Sequence, residues 1–252
     1  MLVVFGRPGA GKTTVANAAL SKLETMMMKS ADSSTTTAAL VMKNNLDSVV
    51  VGLDLDVCVP QWMKDNFSNG IYPTLEERRE FAFNACDYVD QQLQEQRGSR
   101  RRSQQQQQQT VEKKETTTGD GDCSSSSRLS SPSIISFSFV NTDLRDTFRS
   151  RFPNAIWVLV DTDDEEATKR IKERKDHFYK GKDPDGSMTA VTSSDDTSPP
   201  EAETEVTSSV ADNDNSEWHF APVTFPHHVL PGKNSVDENA NSVVQILLDQ
   251  FN

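Results

Sequence analysis

Lys12 closes a glycine-rich octet in which Gly6, Gly11, Lys12 and Thr13 hold the four fixed places of G-x-x-x-x-G-K-[ST], with Arg7, Pro8, Gly9 and Ala10 between them. That spacing is suited to holding phosphate. Glycines let backbone N–H groups turn inward onto an anion, and a helix starting at Thr13 adds the partial positive charge of its N-terminus. The Lys12 ammonium would neutralise the terminal phosphates of a nucleotide, and the Thr13 hydroxyl would hold Mg²⁺. Thr14 continues the cradle. The flanks favour this reading over a plain Gly-Pro turn: Leu2 to Phe5 reads as a short buried strand, and the residues after Lys12 as a helix.

A second pair of residues could complete the chemistry. The stretch VVVGLDLD ends in Asp54 and Asp56, which lie on one face if the chain there is extended. Phosphoryl transfer to a hydroxyl needs an acceptor for the displaced proton and a carboxylate to help hold Mg²⁺ or the acceptor. Asp54 and Asp56 fit that division of labour; two unrelated loop-start aspartates are the plain alternative. Asp161, after a later strand, is a rival metal partner. Arg170 and Arg174 stand four apart on one helix face in RIKERKDHF. On a mobile flap they would meet the charge of a transferring phosphoryl group; otherwise they form a solvated basic stripe.

These groups need a scaffold. After Leu2–Phe5, four further strands are expected at Ser48–Leu53, Ser133–Val140, Ala155–Val160 and about Val223–Leu230. Helical patterns fall between them, at Thr74–Gln96 (with a Thr74/Glu77 capping box), Thr142–Arg151, Asp163–Lys175 and Ser235–Phe251. Apolar strands alternating with helices predict an α/β fold, a parallel five-stranded sheet covered on both faces. Such folds bind ligands at the carboxyl ends of the strands, where the glycine loop and both aspartates fall.

Three stretches fit a core poorly. Residues 98–133 are Gln- and Ser-rich, and 183–217 hold ten acidic residues without one lysine or arginine. Residues 25–47, which begin MMMKSADSSTTT, are ambiguous, since their start could extend the first helix. Excluding them leaves about 160 residues, enough for one domain with three surface insertions, of which 98–133 and 183–217 are expected to be disordered. Ten of the twelve net negative charges lie in 183–217, so acidity marks that insert and not a binding face. The remainder lacks the basic face that nucleic acid requires. Three scattered cysteines without C-x-x-C spacing argue against zinc and against a disulfide framework. No apolar run reaches membrane-spanning length, and the first strand follows Met1 directly, so a cytoplasmic protein is expected.

At this point the chain resembles the gluconate kinases, within the small P-loop kinases that include shikimate and nucleoside monophosphate kinases. In DLDVCVPQWMKDNFSNGIYPTLEER (54–78), Asp54, Asp56, Pro60, Gly70, Ile71, Thr74 and Arg78 fall in register with that family's segment after the second strand. LRDTFR (144–149) is similar to its helix after the third strand, and Arg174, His177 and Phe178 to its lid motif. The resemblance implies a nucleoside-monophosphate-kinase-like fold with a lid. It implies that Asp56 contacts or activates the acceptor hydroxyl and that Arg78 grips the acceptor's negative group, while Asp54 keeps the substrate and metal role read from its strand tip. It also implies that Arg145 and Arg174 act on phosphates; Arg170 joins the nucleotide-binding set from its place beside Arg174 on the helix face. Without the family, Arg78 is one charge in EERRE. The chain departs from the family where Val59 replaces a histidine and Asn141-Thr142 a lysine-arginine pair.

Together these readings predict an ATP- and Mg²⁺-dependent kinase of a small metabolite, a sugar acid such as gluconate, with no nucleic-acid or membrane partner and with a homodimer allowed. A nucleotide or shikimate-type kinase, and an ATP-binding switch without transfer activity, remain as alternatives. Phosphorylation within 183–217 would tune lid closure.

Overall fold

The structure is a computed structural model that describes residues 1–32, 51–112, 133–174 and 220–250. Strand β1 (Leu2–Phe5) is the middle of a five-stranded parallel sheet. β2 (Val51–Asp54) and β3 (Ser133–Phe137) extend it on one side, and β4 (Ile156–Asp161) and β5 (His228–Pro231) on the other, in the order β2-β3-β1-β4-β5. All four residues of β1 are fully buried, because strand alternation sends them to two different cores. Leu2 and Val4 pack with α1 (Lys12–Asp32) and α6 (Val236–Asp249), through Ala16, Ala19, Val243 and Leu247. Val3 and Phe5 pack on the opposite face with Val89 of α3 (Leu75–Glu112) and Phe148 of α4 (Thr142–Arg151).

The predicted α/β architecture is the one found, and several boundaries move for identifiable reasons. The Thr74/Glu77 box forms, the Thr74 amide donating to Glu77 Oε2 at 2.7 Å and the Glu77 amide to Thr74 Oγ1 at 3.3 Å. The helix it opens continues to Glu112, past the expected boundary at 98, through an Arg- and Gln-rich run of good helix propensity. Residues 98–112, part of the expected insertion, are helical in this structure. α1 likewise continues past residue 25, to Asp32. β3 stops at Phe137, short of the expected Val140, because Phe139 takes a positive φ of 41°. β5 begins at His228 rather than near Val223, since Pro226 has no amide to donate to a ladder.

A 3-10 turn over Leu55–Cys58 and α2 (Gln61–Ser68) were not predicted. α5 (Asp164–Glu173) is capped by Asp163, whose carboxylate accepts from the Glu166 amide at 2.8 Å. The rest of the three insertions, and His177 and Phe178 of the lid motif, lie outside the described residues. Among the described residues no helix is long and apolar enough to cross a membrane.

Candidate active site

The glycine loop joins β1 to α1 at the carboxyl end of the sheet, so the helix N-terminus and its unpaired amides point into the loop. Two glycines are dictated by close approach. A Cβ on Gly6 would sit 2.6 Å from the Val160 carbonyl oxygen of β4. Gly9 has φ +80°, and a Cβ there would come within 2.3 Å of the Ala167 carbonyl oxygen of α5. Gly9 therefore lets α5 press directly on the loop and bring its arginines with it.

Lys12 is buried, with Nζ donating to the Arg7 carbonyl at 2.9 Å across the loop. Burial pushes its pKa down to about 8; Asp56 and Asp54 pull it up, and Arg174 pulls it further down. Arg174, at the C-terminal end of α5, is thus within electrostatic range of the lysine. Arg170 Nη1 lies 3.8 Å from where a Gly11 Cβ would be, over the loop. Its Nε donates to Glu166 at 2.9 Å, and Nη2 lies 3.5 Å from the Gly232 carbonyl in the loop after β5. Arg7 pairs with Asp164, which ties the loop to the start of α5. Thr14 is exposed on the first turn of α1.

The two aspartates are not joined by extended chain. β2 ends at Asp54, and the chain turns at once into the 3-10 segment, where Asp54 Oδ1 accepts from the Asp56 amide at 3.0 Å. The turn separates their tasks. Asp54 Oδ2 accepts from Thr13 Oγ1 at 3.0 Å, with Ser136 Oγ a further 3.5 Å from that hydroxyl. This small cluster of oxygens suits a hard cation that keeps most of its ligands as water and phosphate. Among the described residues no group of three or more His, Cys, Asp or Glu could hold a metal by itself. Asp161, the rival, is exposed at the end of β4, on the other side of β1 from Asp54.

Asp56 lines an open cleft beside the glycine loop. Pro8 of the glycine loop forms one wall of this cleft, and Arg78 another. Asp54 is not part of its lining. Arg78 is fixed by two bonds, Nε to Asp143 Oδ2 at 3.1 Å and Nη1 to the Pro73 carbonyl at 3.0 Å. Asp143 was not singled out in the sequence; 65 residues separate it from its partner, and no local spacing connects them. Cys58, beside the aspartates, has its thiol pushed up to about 11 by burial and by the two carboxylates, so it is no nucleophile at neutral pH.

Arg145, which the resemblance sets on phosphate, lies against backbone carbonyls in this structure. It is 1 % exposed, and its guanidinium is used by backbone carbonyls. Nε donates to Phe139 at 2.7 Å, Nη2 to Val140 at 3.0 Å, and Nη1 to Ala221 at 2.7 Å and Pro222 at 3.0 Å. The Phe220 ring covers it, 4.4 Å from Cζ. This arginine joins the end of β3 to the chain that leads into β5.

No family model matches the chain, and no curated protein sequence does. Among solved structures it is similar to an unliganded sugar kinase from Janibacter sp. HTCC2649, with 14 % identity, 98 % of this chain and 93 % of that one covered, and a TM-score of 0.50. It is also similar to a gluconokinase from Sinorhizobium meliloti 1021, with 13 % identity, 99 % and 93 % covered, and a TM-score of 0.45. At such identity the first likeness is one of fold alone: an α/β fold with a parallel five-stranded sheet flanked by helices.

Proposed function

We propose that the chain is an ATP-dependent phosphotransferase that phosphorylates a hydroxyl of a small acidic metabolite. The observation that carries this reading is that the glycine loop and the Asp56 cleft adjoin, with Pro8 belonging to both. A nucleotide seated on Gly6–Thr14 would present its terminal phosphate to whatever occupies the cleft. Mg·ATP supplies the phosphoryl group and, through the metal, draws charge from its oxygens.

The chain's own residues would do the rest. Thr13 and Asp54 would hold the metal, and Lys12 would exchange the Arg7 carbonyl for phosphate oxygens. Arg170 and Arg174 would reach the phosphates from α5. Asp56 would accept the proton released by the acceptor hydroxyl. Arg78, steadied by Asp143 and the Pro73 carbonyl, would offer its remaining N–H groups to a carboxylate. A sugar acid such as gluconate belongs to this acceptor class, and the resemblance of segment 54–78 supports it.

The test is ADP formation by the full chain with Mg·ATP across hydroxy acids, polyols and nucleoside monophosphates. Turnover with an acid, abolished in Lys12→Ala, is the expected result. Turnover with nucleotides alone would move the protein to the nucleotide kinases. ATP binding without transfer to any acceptor would make it a switch.

A further inference from the structure

The cleft differs in character between its floor and its rim. Its floor is built from buried apolar side chains, Val59, Met63, Phe81, Phe137, Val140 and Leu144. Most of these belong to the principal core on that face of the sheet, so the floor is an opening onto the hydrophobic interior. The polar side chains among its described lining, Asp56, Tyr72, Arg78, Ser138 and Asn141, are all half-buried, less deeply than the apolar ones.

We infer that the acceptor is a hydroxy acid with a mainly apolar body: one carboxylate, a hydroxyl to be phosphorylated, and branched or ring carbons that settle on the apolar floor. This narrows the acceptor class of the proposed function and rests on that reading. An acid with a hydroxyl on every carbon would set some of its hydroxyls against the apolar floor, away from these side chains. Each hydroxyl stripped of water and left against Val59, Met63 or Phe137 lowers affinity by about tenfold. Methyl groups or ring carbons at the same places gain affinity by leaving water. The carboxylate end has a defined seat at Arg78, and the reacting hydroxyl at Asp56, so only the body between them is selected by the floor.

The experiment separates this inference from the proposed function by reading binding and transfer independently. Calorimetry on the full chain with an ATP analogue and Mg²⁺ would compare pantoate and mevalonate, two branched hydroxy acids, with gluconate. The expected result is a Kd for at least one branched acid tenfold or more below that of gluconate, with a negative heat-capacity change. Val59→Thr, which keeps the shape and adds a hydroxyl, should shrink that ratio by several-fold. Gluconate binding as tightly as both branched acids, or no binding by any of the three, overturns the inference. In parallel, phosphoryl transfer is followed with ATP. Preferential binding of the branched acids without transfer to any of them would leave the inference standing and sink the phosphotransferase reading.

Discussion

The Thr13 hydroxyl donates to Asp54 Oδ2 at 3.0 Å, joining the first turn of α1 to the end of β2 across 41 residues of sequence. Asp54 uses its other oxygen to cap the 3-10 turn through the Asp56 amide. An asparagine can keep that cap through its carbonyl oxygen while losing the charge that attracts a cation. Asp54→Asn is therefore expected to raise the Mg²⁺ concentration for half-maximal activity by about tenfold or more, with Tm nearly unchanged. A magnesium titration of turnover, paired with a melt, checks both halves.

Lys12 provides a pH signature. Burial holds its folded pKa near 8, against an ordinary 10.5, so the unfolded chain binds more protons between those values. Stability of the free protein should rise with pH across that window, since the cost of burying the charged form disappears as the lysine deprotonates. Polyphosphate favours the ammonium, so ATP binding near pH 8.5 should take up a proton, and affinity should weaken as pH climbs above 8. Calorimetry in two buffers of different ionisation enthalpy reads the proton directly. Lys12→Met should lose at least about a thousandfold in kcat without lowering Tm.

Much of this was legible in sequence because it is local. The glycine octet, the apolar runs of β1 and β4 and the Thr74/Glu77 box each lie within a few neighbouring residues, and each appears where its pattern puts it. The two aspartates were found, but their geometry was not. Placing them on one face assumed an extended chain, and the turn at Leu55–Cys58 is held by a side-chain cap that alternation cannot reveal. The Arg78–Asp143 pair and the apolar floor of the cleft depend on folding distant segments together. Nothing in the local spacing of α3 or α4 announces them.

Gly9 is not one of the four fixed places of the octet, yet it is tightly constrained. Its φ of +80° and the closeness of the Ala167 carbonyl leave no room for a methyl group. Gly9→Ala should push α5 off the loop and carry Arg170 and Arg174 with it. ATP KM is expected to rise tenfold or more and Tm to fall by several degrees. Gly70 has a positive φ of 72° but open space around it, so Gly70→Ala should lower Tm slightly and leave ATP KM alone.

Asp143 steadies Arg78 without lining the cleft. Asp143→Asn keeps an acceptor oxygen and removes the charge, freeing Arg78 to swing. Acceptor KM should rise about three- to tenfold, while ATP KM stays constant. Arg78→Lys should be worse, because a single ammonium cannot bond Asp143, the Pro73 carbonyl and a carboxylate in one plane. A KM comparison for both substrates separates positioning of the acceptor from a general loss of fold.

Arg145 distinguishes a structural arginine from a catalytic one. Its pKa is pushed down to about 10 by burial, which leaves it charged at neutral pH, and four backbone carbonyls surround that charge. Removing the guanidinium would orphan buried carbonyl oxygens on two segments at once, at about 1–3 kcal/mol each. Arg145→Met should therefore cost on the order of 3–5 kcal/mol, a Tm loss of about ten degrees. Arg145→Lys should recover little, since an ammonium cannot span Phe139 and Pro222 together. A phosphate-binding arginine would behave in the opposite way, with Tm preserved and kcat reduced a hundredfold or more. Measured well below the variant's Tm, kcat within about threefold of the parent protein identifies Arg145 as the clamp between the end of β3 and the approach to β5.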